Sequence, residues 1–160
     1  MGSVVVGFEL SGREVEVLAR PLATLQAVLR EQLGHTSVKE GCRQGGCGSC
    51  TVLVDGDPML SCLLPVEDVA GRRVTTLEGL TPAEGLHPIQ RAFLDANGFQ
   101  CGYCTPGMEM VAKALLDRHP HPSREEIVEA LSGNVCRCTG YEPVIGAIEA
   151  AATALGETAR

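Results

Sequence analysis

The stretch Gly41-Cys42-Arg43-Gln44-Gly45-Gly46-Cys47-Gly48-Ser49-Cys50 decides how this chain is read. It sets three cysteines as C-x4-C-x2-C among four glycines, and a fourth, Cys62, follows after a short apolar hairpin. Four thiolates arriving from different directions need a backbone that curls tightly, with N–H groups turned inward toward sulfur. Glycine permits those angles and that close approach. Working outward, the same logic sorts the other cysteines. Cys101 and Cys104 form a C-x2-C pair, and Cys136 and Cys138 a C-x-C pair. Each pair stands just before a stretch of helical periodicity. Helix N-termini carry unpaired N–H groups and partial positive charge, so they would stabilise an anionic centre placed there. Gly102, Gly107 and Gly140 supply close approach. All eight cysteines are then used, four per site.

The first set has the spacing that wraps one [2Fe–2S] cluster in plant-type ferredoxins. Its main rival is structural zinc, which favours two C-x2-C knuckles or Cys/His mixtures; the glycine loop fits that poorly. The second set is less distinctive, and taken alone zinc stays a serious reading for it. Its company with the first set favours a second [2Fe–2S] cluster. Disulfides belong to oxidising compartments. Met1–Leu10 lacks the basic region, long apolar run and small-residue cleavage site of a secretion signal. No apolar run approaches membrane-spanning length. The expectation is a soluble, cytoplasmic protein with reduced thiols free to bind metal and no membrane insertion.

Composition bounds the rest. A formal net charge of −7 over 160 residues argues against nucleic acid as a partner. Apolar residues make up 44% but aromatics only 3%, so cores must be built from Leu, Val, Ile and Ala. Small cores of that kind gain from metal sites. The four histidines (His35, His87, His119 and His121) read as non-ligands in loops or at helix ends. Met108 and Met110 read as packing, and Glu125, Glu126 and Glu129 as a solvated helix face. The glycines of 41–48 lack the Lys-Ser/Thr ending of a phosphate-binding loop, and no nucleophile–base pairing is legible.

In chain order, Val4–Leu10 and Arg13–Val17 alternate around Ser11-Gly12 and predict a hairpin. Leu22, Leu25, Val28, Leu29 and Leu33 recur at helical spacing, with Thr24 as cap and Gly34 as stop. Thr51–Val54, an Asp55-Gly56 turn and Met59–Leu64 predict two strands, the second carrying Cys62; Val74–Leu77 is a further strand. Glu78–Gly85 reads as a linker. Helices are predicted over 87–96, over 105–118 with Thr105 as N-cap and Pro106 at the first helical position, from Ser123 with a Glu126 capping box to Gly133, and over 144–155. The halves of this second part look alike: helix, cysteine pair, helix.

These residues resemble a known family. Val38-Lys39-Glu40-Gly41-Cys42, Gly46-Cys47-Gly48-Ser49-Cys50-Thr51-Val52, Gln100-Cys101-Gly102-Tyr103-Cys104-Thr105-Pro106-Gly107 and Gly133-Asn134-Val135-Cys136-Arg137-Cys138-Thr139-Gly140-Tyr141 are similar to the small iron–sulfur subunit of the molybdenum hydroxylases. That is the xanthine dehydrogenase, aldehyde oxidoreductase and carbon monoxide dehydrogenase family. The resemblance runs from about Val4 to about Ala152. It implies an α+β chain: a β-grasp, plant-type ferredoxin-like domain (1–78), a linker (79–85) and an all-α four-helix domain with approximate two-fold symmetry (86–160). It implies two [2Fe–2S] clusters, on Cys42, Cys47, Cys50 and Cys62 and on Cys101, Cys104, Cys136 and Cys138. It also implies a large partner subunit with a molybdopterin cofactor, and often a medium subunit with FAD. Gln100 and Cys138 would sit at the pterin edge, and Cys138 would be the electron entry point. On this reading the chain is a separate electron-transfer subunit of an oxidoreductase, with no turnover of its own. Arg43-Gln44 departs from the commonest pattern, adding a charge and an amide near the first cluster.

Overall fold

The computed structural model of the chain describes residues 2–158. Alternation makes the first hairpin. β1 (Val4–Leu10) and β2 (Arg13–Ala19) pair antiparallel, with Leu10 opposite Arg13 across the Ser11-Gly12 turn. Both turn residues have left-handed φ, 50° and 83°, which a two-residue hairpin requires. Val6, Phe8, Leu10, Val17 and Ala19 turn to one face and are buried. The Thr24 hydroxyl accepts the Ala27 N–H at 3.2 Å and caps α1 (Leu25–Ala27). That helix widens over Val28–Gln32 into i→i+5 bonding, where the Leu33 N–H donates to the Val28 carbonyl at 3.2 Å. Leu25, Val28 and Leu29 close over the sheet.

β3 (Thr51–Val54) and β4 (Asp57–Leu60) form the second hairpin, and β5 (Arg73–Thr75) completes a mixed sheet of order β2-β1-β5-β3-β4. β5 runs parallel to β1 and antiparallel to β3. Every residue of β3 is buried. Val52 and Val54 join the cluster around Phe8 and Leu25, whereas Leu53 turns the other way to Leu80, Met110 and Ala114. A strand covered on both faces needs apolar residues at both parities, and Thr51–Val54 has them.

Two expectations shift. The ladder stops at Leu60, so Cys62 lies beyond the strand in a turn where the Leu63 N–H donates to the Leu60 carbonyl at 3.0 Å. Ser61 ends the strand by donating its hydroxyl to the Cys50 carbonyl at 2.7 Å. The stretch read as strand end and linker winds into a short helix, α2 (Leu77–Leu80), and a 3₁₀ turn forms at Val66–Val69. Elements of one turn carry too few residues to show a period.

The remaining helices are α3 (Pro88–Asp95), α4 (Thr105–Arg118), α5 (Arg124–Leu131) and α6 (Glu142–Thr158). His87 caps α3: its Nδ1 accepts the Ile89 N–H at 3.2 Å, and Gln90 accepts the His87 N–H at 3.0 Å. Ser123 and Glu126 form the expected capping box on α5. α3 packs on α6 and α4 on α5, around Phe93, Met108, Ile127 and Ile148. α4 also lies on β3 through Met110 and Ala114, so one helix serves two apolar clusters. Met108 and Met110 are both packing residues at 1% exposure or less. No described helix is long and apolar enough to cross a membrane.

Candidate metal centres

β3 begins just after Cys50 and α4 just after Cys104, so packing α4 on β3 brings the two cysteine sets face to face. The loop ahead of β3 carries the first set. Arg43, Gly45 and Gly48 all have left-handed φ, 57°, 78° and 72°, and these bends curl residues 42–50 back on themselves. A Cβ at Gly41 would stand 2.7 Å from Cys47 Sγ, so this glycine is required for space rather than for its dihedral. The backbone N–H groups of Gln44 and Gly46 donate to Cys42 Sγ at 3.5 and 3.2 Å. The Gln44 N–H foremost, then Cys47 and the Gly46 N–H, lower the Cys42 thiol to about 7 against the opposing effect of burial. Gln44 therefore contributes its backbone N–H. The Arg43 guanidinium is held by Glu40.

The thiols meet in pairs. Cys42 neighbours Cys47, and Cys50 neighbours Cys62. Burial pushes the Cys50 thiol up to about 11, so a thiolate there needs a compensating cation.

The second set sits where α4 and the 134–141 loop meet. Cys101 and Cys138 are exposed, with Sγ atoms 3.7 Å apart. Cys104 is buried beside Cys136, and burial pushes its thiol up to about 12. At Cys136 burial also raises the pKa. The Thr139 hydroxyl and N–H, donating to Sγ at 3.1 and 3.4 Å, outweigh it and bring the thiol to about 7. Gln100 Nε2 donates to the Cys138 carbonyl at 3.0 Å, so these two residues stand together. Cys104, not Thr105, is the N-cap of α4; Thr105 is the first helical residue, and its Oγ1 is buried without a partner. Among the described residues no three His, Cys, Asp or Glu side chains gather round one single-ion position.

Apart from Gly107, read for close approach, the residues that join the sets are given no contact by the sequence reading. Asn134 Nδ2 donates to the Gly48 carbonyl at 3.1 Å, and the Val135 N–H to the Cys47 carbonyl at 3.0 Å. The Tyr103 hydroxyl donates to the Glu40 carbonyl at 2.8 Å. A Cβ at Gly107 would collide with the Gly48 carbonyl oxygen, which is why α4 can approach the loop so closely. Glu109, one turn into α4, is buried, and burial alone lifts its carboxyl to about 7.

Comparison with known proteins follows the same division. Residues 7–94 match the family described as "2Fe-2S iron-sulfur cluster binding domain", and residues 76–149 match "[2Fe-2S] binding domain". The class is thus that of [2Fe–2S] iron–sulfur proteins. The nicotinate dehydrogenase small FeS subunit of Eubacterium barkeri is 44% identical over 148 residues, 92% of this chain and 94% of that one. A chain of quinoline 2-oxidoreductase from Pseudomonas putida 86 superposes with a TM-score of 0.94 at 42% identity, covering 98% of each chain. The aldehyde oxidoreductase of Megalodesulfovibrio gigas is 43% identical over 149 residues, but these are 91% of this chain and 16% of that enzyme. The chain belongs to the small iron–sulfur subunits of the molybdenum hydroxylase family, and as such is a subunit of an oxidoreductase.

Proposed function

We propose that this chain relays single electrons from a molybdopterin centre in a large partner subunit to FAD in a medium subunit or to another acceptor. The carrying observation is that eight free cysteines stand as two facing sets of four, each set as two thiol pairs. Pairs suit a two-iron centre, with one pair to each iron, better than a mononuclear zinc, which draws four donors to one point. On this reading Cys42, Cys47, Cys50 and Cys62 hold one [2Fe–2S] cluster, and Cys101, Cys104, Cys136 and Cys138 hold the other. A bound [2Fe–2S] cluster takes up and returns one electron.

The chain's own groups do the rest. N–H donors at Cys42 and the Thr139 hydroxyl at Cys136 stabilise negative charge on sulfur, which tunes the potentials. Burial of Cys50, Cys62 and Cys104 excludes water. The exposure of Cys101 and Cys138, with Gln100 beside them, supports this corner as the face toward the pterin, with Cys138 as the entry point.

We further assign residues 1–78 to a β-grasp unit, 79–85 to the linker and 86–160 to a four-helix unit with approximate two-fold symmetry. The sheet order and the separate apolar clusters support that division. The cytoplasm, which keeps thiols reduced, is the compartment this chemistry favours. The test is anaerobic purification of the chain with its co-purifying subunits, then metal analysis and substrate-dependent dye reduction. Molybdenum in the complex and loss of dye reduction in Cys138→Ser are expected. Normal turnover by Cys138→Ser would sink the relay.

A further inference from the structure

Among the described residues, one backbone hydrogen bond joins the two cysteine sets, from the Val135 N–H to the Cys47 carbonyl. Val135 precedes Cys136, so this bond lies on a short path from one candidate ligand, through two peptide groups, to another. What aims the Val135 N–H is Tyr141. Its hydroxyl accepts the Cys136 N–H at 2.8 Å and donates to the Asn134 carbonyl at 2.9 Å. The peptide groups on either side of Val135 are thus pinned by a single side-chain oxygen. Tyr141 itself has a left-handed φ of 68°, which a bulky residue adopts only where its surroundings over-determine it. Its N–H donates to Thr139 Oγ1 at 3.2 Å, and Thr139 in turn donates to Cys136 Sγ. The ring lies against the helical core beside Ile145. The strain and the three hydrogen bonds converge on one arrangement of residues 134–136.

We propose that Tyr141 is the positioning residue for electron exchange between the two cysteine sites, its hydroxyl holding residues 134–136 so that the Val135 N–H meets the Cys47 carbonyl. This rests on the relay reading above. One electron leaves the reduced site of Cys101, Cys104, Cys136 and Cys138, and one arrives at the oxidised site of Cys42, Cys47, Cys50 and Cys62. No bond forms or breaks, and no proton moves. Tyr141 touches neither reacting atoms nor a second molecule; it acts through Val135.

The test uses the full chain loaded with iron, as Tyr141→Phe, which keeps the ring and removes the hydroxyl. Tyr103→Phe is the control, because it removes a cross-link that is not on the path between ligands. Tyr141→Phe is expected to keep its iron and both paramagnetic signals. It should slow internal electron equilibration after photoreduction several-fold and weaken the magnetic interaction between the two reduced sites. Tyr103→Phe should change both much less. Amide hydrogen exchange supplies a readout independent of iron loading: Val135, whose own acceptor is untouched, should lose protection in Tyr141→Phe. Wild-type equilibration, or unchanged Val135 protection, in Tyr141→Phe overturns the inference. Absence of two signals in the wild-type chain sinks the relay reading instead.

Discussion

The two cysteine sites reach similar donor sets by opposite routes. The first is local: three of its four cysteines lie in one loop, bent by Arg43, Gly45 and Gly48 at left-handed φ. The second is tertiary. Cys101 and Cys104 come from the turn leading into α4, Cys136 and Cys138 from the loop before α6, and the packing of helices α3, α4, α5 and α6 brings Cys101 Sγ within 3.7 Å of Cys138 Sγ. Exposure differs too. The first site buries Cys50 and Cys62, whereas the second leaves Cys101 and Cys138 open. A locally determined, half-buried site suits an interior station. A site with two open thiols suits contact with another subunit.

Removing a ligand from each site gives the largest expected effect. Cys50→Ser and Cys104→Ser should each lose their own site's share, about two of about four irons, and leave the other site's spectrum in place. Loss of both spectra from either single change breaks the comparison, because it makes the local site depend on the tertiary one. Gly48→Ala comes next. It places a Cβ 2.5 Å from Asn134 Nδ2 and from the Gly133 carbonyl oxygen, at φ 72°. Overpacking and left-handed strain together should cost roughly 2–4 kcal/mol, seen as a lower Tm with iron still bound at the helical site. An unchanged Tm means the loops can separate freely.

The buried Glu109 sharpens the tertiary side. Its folded pKa is raised above the unfolded value, so its contribution to stability is fully present below about pH 4.5 and is lost as pH rises through about 7. Glu109→Gln should therefore gain stability relative to wild type as pH rises from about 4.5 through about 7, by roughly 2–3 kcal/mol. Melting curves across that range decide it; a difference independent of pH removes the carboxylate from the account. Ser123→Ala is the smallest change. It deletes the α5 cap, far along the chain from either site, and should cost about 1 kcal/mol without altering iron content.

Local chemistry was legible in the sequence, and the junction was not. Ser11-Gly12, Thr24, the Ser123–Glu126 box and the helix from Thr105 to Arg118 follow from turn and capping chemistry acting over a few residues. The end of the strand before Cys62 was missed because the hydroxyl of Ser61, not periodicity, sets it. Thr105 resembles an N-cap by type, yet Cys104 occupies that position and leaves the hydroxyl unpaired. His87 reads as a non-ligand at a helix end and stands there, but its capping of α3 was not legible, because a histidine carries none of the usual N-cap signal. The cysteine spacings proposed eight ligands. Gly107 was legible as a point of close approach, but its partner Gly48 was not, and the contacts of Asn134 on Gly48 and Val135 on Cys47 link residues too far apart in sequence for any spacing rule.

The most direct test of the central claim is EPR of the dithionite-reduced chain, purified anaerobically, with iron counted on the same sample. The account predicts two distinct S = 1/2 signals and about four irons per chain. A single signal with half that iron, or a colourless protein holding zinc, contradicts it.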